Sequence, residues 1–195
     1  MKRLMPYQDG LCRPLDPFTR YDVVHTRQFP DNNLAISIRP LYLERDIALL
    51  RNWVKREYVR PWWKHDTPFN EIIQTLIHTA HSDFAQVFTG MNINQPLCEV
   101  EVFRALQDDE LGMSNLTRPG DYVLRLLPSH IVPAQQLAVV QTCVEYFLLH
   151  GEVKRILALV DEEDEHDNKL IRKAGFSFLE KIATPYKMDN LYVYP

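Results

Sequence analysis

The side chains best able to do chemistry in this sequence are a few carboxylates and one strand-borne arginine, because the patterns of the common hydrolytic and nucleotide-binding sites are missing. No HExxH, GxSxG, GxxxxGK[ST] or GxGxxG occurs. His78 and His81 stand at i, i+3 on a helical stretch, a spacing that can ligate a metal, but no third ligand lies nearby in sequence and no metal is expected. Cys12, Cys98 and Cys143 are odd in number, lack CxxC spacing and read as buried free thiols. What remains is the acidic stretch Asp161 to Asp167, Glu101 and Arg125 in strand-like runs, the loop from Pro128 to Gln136, and the aromatic pair Trp62 and Trp63. Asp161 has two readings: a reactive carboxylate at the end of a buried strand, or a solvated turn that caps the next helix. A guanidinium stays protonated at neutral pH, so Arg125 binds an anion or pairs with a carboxylate, Glu101 being the obvious partner. Ser129, His130, Gln135 and Gln136 can bond an anion at a helix start. Trp62 and Trp63 either wall a pocket or pack in the core.

The elements that must position these residues follow from hydrophobic spacing. Leu34 to Pro40 alternates as a strand, with a short edge strand expected at Tyr21 to His25. Glu44 to Tyr58 carries Ile47, Leu50, Trp53 and Val54 at helical spacing, and Asn70 to His81 does the same with Ile72, Ile73, Leu76 and Ile77, Asn70 being the expected N-cap. Ala85 to Thr89, Gln95 to Ala105 and Asp121 to Leu127 read as consecutive antiparallel strands. Ala134 to Leu149 is a long amphipathic helix stopped at Gly151, and Ile156 to Val160 is apolar throughout, as a strand buried on both faces is. A helix to Lys173 and two strands around Pro185-Tyr186-Lys187 complete the order β-α-α-β-β-β-α-β-α-β-β.

A chain of 195 residues, 46% hydrophobic and 25% charged, can bury one substantial core. We divide it into an N-terminal arm, residues 1–33, and one α/β (α+β) domain, residues 34–195. The net charge of -4 has no basic block, which argues against a nucleic-acid or membrane-surface partner. No apolar run of transmembrane or signal-peptide type is found, so a cytoplasmic location is expected.

Several local motifs, in order, resemble one family. Ile38-Arg39-Pro40-Leu41 with Glu44-Arg45-Asp46, then Arg60-Pro61-Trp62-Trp63, resemble the opening of siderophore-type lysine N-acyltransferases of the aerobactin and mycobactin kind, a branch of the GNAT acyltransferases. Cys98-Glu99-Val100-Glu101-Val102-Phe103, the acidic loop Asp108-Asp109-Glu110-Leu111-Gly112, Gly120-Asp121, Lys173-Ala174-Gly175-Phe176 and Pro185-Tyr186-Lys187 continue the likeness from about residue 34 to residue 194. The resemblance implies a mixed, mostly antiparallel central sheet flanked by helices, and transfer of an acyl group from acetyl-CoA or another acyl-CoA to a primary amine, such as a hydroxylysine-like siderophore precursor. It implies a small-molecule amine partner and allows a homodimer. Asp161 aligns with an acidic family position and becomes the first candidate catalytic carboxylate, with Glu101 the second. Leu126, Leu127, Ser129, His130, Ala134, Gln135 and Gln136 would hold the pantetheine and pyrophosphate, and Trp62, Trp63 and Arg125 would face the acceptor.

Two positions depart from the family pattern. Arg125 stands where the siderophore branch has a histidine, and the loop Pro128 to Gln136 has no glycine and no Arg or Lys. A second hypothesis follows, a catalytically degenerate binding or scaffold protein on the same fold.

Overall fold

The computed structural model describes residues 10–55, 67–108, 111, 115–127, 132–183 and 187–195. Eight strands form one sheet in the order β1-β2-β3-β4-β5-β6-β8-β7. The strands are β1 His25–Phe29, β2 Leu34–Pro40, β3 Ala85–Asn92, β4 Gln95–Arg104, β5 Asp121–Leu127, β6 Arg155–Asp161, β7 Ser177–Ala183 and β8 Met188–Tyr194. Every neighbouring pair is antiparallel except β5 and β6. The described residues also form four α-helices: α1 Leu43–Val54, α2 Phe69–His81, α3 Pro133–Phe147 and α4 Glu165–Lys173. The mixed, mostly antiparallel architecture is the one expected, and β1 adds a strand in front of it.

Alternation decides which helices cover which face. Ile36, Ile38, Phe88, Val100, Val102, Tyr122, Leu124, Ile156, Ala158 and Tyr192 point to one face and pack with Ala138, Val139, Val140, Cys143 and Phe147 of α3 and Ile171 of α4. The alternate residues Leu41, Val87 and Leu127 point the other way, against Leu43, Leu50 and Trp53 of α1 and Ile72 and Leu76 of α2. The polar side chains of β2 to β5 on that second face therefore lie beneath α1 and α2.

Local differences from the expected boundaries have simple causes. Pairing begins at His25 rather than Tyr21, and the β1–β2 hairpin closes through the turn Pro30–Asn32, with Asn33 at φ 51 in the left-handed region that asparagine tolerates. Asn70 lies inside the first turn of α2, whose N-cap is Pro68. Helix α3 starts one residue early, with Pro133 in the first turn where no N–H is needed, and ends at Phe147 rather than Leu149. Its last turn tightens, with Leu149 N–H donating to the Tyr146 carbonyl and His150 N–H to that of Phe147. The Lys173-Ala174-Gly175-Phe176 turn forms as read: Gly175 has φ +104, and a Cβ there would lie 3.0 Å from Cε2 of Tyr194.

The segment 10–17 straps the domain rather than hanging free. Leu11 and Cys12 are buried, Leu11 N–H donates to Glu152 Oε1 at 2.6 Å, Leu15 N–H to the Ala80 carbonyl at 2.6 Å, and Leu43 N–H to the Pro17 carbonyl at 2.8 Å. Glu152 and Ala80 lie next to the starts of β6 and β3, so the strap sits at the end of the sheet where β5 and β6 are joined.

Candidate active site

Strands β5 and β6 are held together at one end only. Their parallel ladder has three pairs, Asp121 with Arg155, Tyr122 with Ile156 and Val123 with Leu157. Beyond it β5 stays with β4 as far as Leu127, and β6 stays with β8 as far as Asp161. Leu124 to Leu127 and Ala158 to Asp161 thus diverge, leaving a V-shaped gap whose edges carry backbone donors and acceptors with no strand opposite among the described residues. The joined end is pinned by Arg155, which donates from Nε to Asp121 Oδ1 at 2.8 Å and from Nη2 to Asp121 Oδ2 and to the Leu116 carbonyl. Asp121 is buried and also accepts from Arg118 N–H at 2.9 Å.

The start of α3 stands next to the open end in the chain. Its N-cap, Val132, supplies no capping side chain, and Gln135 and Gln136 N–H turn back to the Val132 carbonyl at 2.9 and 3.2 Å. Ala134 is exposed and Gln135 half-buried. Gln136 is buried, with Oε1 2.8 Å from His166 Nε2, which ties the first turn of α3 to the first turn of α4. Ser129 and His130, like Trp62 and Trp63, lie outside the described residues.

A row of polar side chains crosses the α1/α2 face at the level of the gap. Register puts Arg39 beside Thr89, Thr89 beside Glu99, and Glu99 beside Leu127; in the next row Val87 stands beside Glu101, and Glu101 beside Arg125. Arg39 and Asp46 of α1 form a buried bidentate pair at 2.8 and 2.7 Å, and Asp46 also accepts from Tyr42 N–H at 3.0 Å and Thr89 Oγ1 at 3.3 Å. Arg125 is the paired strand residue its chemistry allows. Its Nη2 lies 2.8 Å from Asp108 Oδ2, and its guanidinium carbon is 5.1 Å from the Phe103 ring centroid. Asp108, buried, is fixed in turn by Leu111 N–H at 3.0 Å.

Both β4 carboxyls sit above the usual glutamate range. Burial raises Glu101 first of all, the charge of Arg125 opposes the rise, and Asp108 adds to it. Glu99, only 2% exposed, is pushed well up by burial and further by the negative charges of Glu101 and Asp46. Glu99 is not among the candidate residues drawn from the motif Cys98 to Phe103, although the alternation of that run already places it on one face with Glu101.

Asp161 lies at the end of β6, on the far side of the gap. Its Oδ1 accepts from Glu163 N–H at 3.0 Å, its Oδ2 is 3.4 Å from Lys187 Nζ, and its carbonyl accepts from Asn168 Nδ2 at 2.7 Å. The N-cap of α4 is Asp164, which accepts from Asp167 N–H at 2.9 Å. Sequence-selected Glu101 and Arg125 are therefore brought together, Leu126 and Leu127 line the diverging edge of β5, and Asp161 stands apart from the β4 pair. His81 Nδ1 donates to the Ile77 carbonyl at 2.8 Å, an intrahelical bond. No described helix is long and apolar enough to cross a membrane.

A family model described as an acetyltransferase (GNAT) domain matches residues 42–184. No curated protein matches the chain. Solved structures share the fold at low identity. An uncharacterized protein from Bacillus halodurans matches with a TM-score of 0.77 and 18% identity, over 95% of this chain and 91% of that one. The aminoglycoside acetyltransferase AAC(6')-Ib, solved with coenzyme A and kanamycin, gives a TM-score of 0.72 and 20% identity over 82% and 94%. The spermidine N-acetyltransferase from Vibrio cholerae, solved with coenzyme A and spermine, gives 0.62 and 13% over 82% and 94%.

Proposed function

Because this chain belongs to the GNAT acetyltransferase family, we propose that it transfers an acyl group from acyl-CoA to a primary amine. The observation that carries this reading is the gap between β5 and β6 at the level of the β4 carboxyls. An extended pantetheine arm can bond to the free edge of β5 at Leu126 and Leu127, as a strand would, and N–H groups on that edge can stabilise an oxyanion at the thioester carbon. The first turn of α3, with Ala134, Gln135 and Gln136, is assigned to the pyrophosphate, together with Ser129 and His130 from the loop before it. Acyl-CoA would approach along the gap, and the amine from the α1/α2 face, where Glu101 and Arg125 lie and to which Trp62 and Trp63 are assigned. Asp161, on the opposite wall and paired with Lys187, is assigned to orienting the bound ligands.

An amine acceptor is supported by relatives solved with kanamycin and with spermine. A hydroxylysine-like siderophore precursor rests on the motif resemblance alone. The experiment is a thermal-shift series with acetyl-CoA and longer acyl-CoAs, followed by release of free CoA thiol in the presence of kanamycin, spermine and Nε-hydroxylysine. Stabilisation by an acyl-CoA and amine-dependent thiol release are expected. The loop from Pro128 to Gln136, free of glycine, lysine and arginine, favours the non-catalytic alternative, and stabilisation without thiol release from any amine would establish it.

A further inference from the structure

We propose that Glu99 is the group that takes the proton from the acceptor amine, with Glu101 beside it as the carboxyl that holds the ammonium. The inference rests on the acyl-transfer reading above and adds to it a residue outside the candidates drawn from the sequence.

The two carboxyls differ in what surrounds them. Glu99 and Glu101 are i, i+2 on β4 and share the α1/α2 face at the height where β5 leaves β6. Glu101 has a cation across the ladder, Arg125, itself anchored by Asp108. Asp46, on the other flank, has Arg39. Glu99 stands between these two settled pairs, beside Thr89 and Leu127, and among the described residues no cation and no hydrogen-bond donor acts on it. A buried carboxyl left without either partner is costly to a fold, and such costs concentrate where a ligand supplies what is missing. An alkylammonium supplies both the charge and the donors.

The chemistry balances. The bound ammonium passes one proton to the Glu99 carboxylate, which frees the nitrogen lone pair. That pair attacks the thioester carbon, the C–N bond forms and the C–S bond breaks. Coenzyme A leaves as the thiolate and receives the second proton shed by the nitrogen, so the products are the amide, the CoA thiol and a protonated Glu99. An ordinary carboxylate is a weak base for an alkylammonium, and the burial that raises Glu99 narrows that gap. The charges that act on it are the carboxyls Asp46 on α1 and Glu101 on β4, each faced by its own arginine, Arg39 on β2 and Arg125 on β5.

The test compares the wild type with Glu99→Gln and Glu99→Asp. Acetyl-CoA binding is read by thermal shift, and turnover is read as thiol release against pH with the best amine of the panel above. The account predicts an unchanged acetyl-CoA shift in both variants. It predicts that kcat/KM of the wild type rises with pH, that Glu99→Gln loses this rising limb together with about a hundredfold or more of the rate, and that Glu99→Asp keeps the limb at reduced rate. A Gln variant that turns over with the wild-type pH profile overturns the assignment while leaving acyl transfer intact. Absence of both the acetyl-CoA shift and turnover in the wild type sinks the acyl-transfer reading and the Glu99 role with it.

Discussion

Asp46 and Glu99 are both buried carboxyls on the same side of the sheet, and they meet the cost of burial in opposite ways. Asp46 lies within a closed set of donors: two from Arg39, one from Tyr42 N–H and one from Thr89. Substituting Asp46→Asn removes the charge and leaves the Arg39 guanidinium buried and uncompensated, so a loss of about 3 kcal/mol or more is expected in denaturant unfolding. Glu99 lacks such a set, and its effect on stability has the other sign. Its folded pKa lies above that of the unfolded chain. Its contribution is therefore fully present in acid, below the ordinary glutamate range, and is lost as pH rises through the folded value. The stability of Glu99→Gln minus that of the wild type should grow from pH 4 toward pH 8, and a difference that is flat with pH would mean that the two states share one pKa. Both residues stand in the sequence within motifs already noted, yet a motif cannot say which carboxyl has a partner. That depends on α1 folding over β2 and on the β3–β4 register, contacts between residues far apart in the chain.

At the scale of elements, most of the architecture was legible because each strand and helix carries its own period. Ile156 to Val160 reads as a strand buried on both faces and is buried except at half-buried Leu159, and the alternation of Leu34 to Pro40 puts Ile36 and Ile38 on the α3 face and Arg39 on the face of α1. The helix ends were less legible, since the N-caps of α2 and α3, Pro68 and Val132, supply no side-chain cap, and the cap signals were absent or misplaced. Least legible was the divergence of β5 from β6. Nothing in Leu124 to Leu127 marks the point where pairing stops; it is set by the Asp121–Arg155 clamp below and by β4 and β8 drawing the two strands apart. The packing of α3 is tighter than its sequence suggests. A Cβ on Gly90 would lie 3.1 Å from Cys98 Sγ and 3.2 Å from Val139 Cγ1, so in Gly90→Ala these side chains must give by a few tenths of an ångström. We expect that variant to lose about 1–3 kcal/mol in thermal or denaturant unfolding, and an unchanged midpoint would show that α3 yields more easily than this.

At the scale of the whole molecule, the two halves of the sheet do different work. The joined end is sealed by the clamp and by the strap of residues 10–17, whose contacts with Glu152 and Ala80 keep it away from the gap. The open end carries the diverging edge of β5, the polar row beneath α1 and α2 and, next in the chain, the start of α3, the features on which the proposed meeting of acyl donor and amine rests. The central claim is that the gap between β5 and β6 takes acyl-CoA, and the most direct measurement is the thermal stability of the protein with and without acetyl-CoA and longer acyl-CoAs. A ligand present at a hundredfold its dissociation constant adds about 2.7 kcal/mol to the folded state, so a clear, concentration-dependent rise in Tm is predicted. No rise with any acyl-CoA at millimolar concentration would contradict the account.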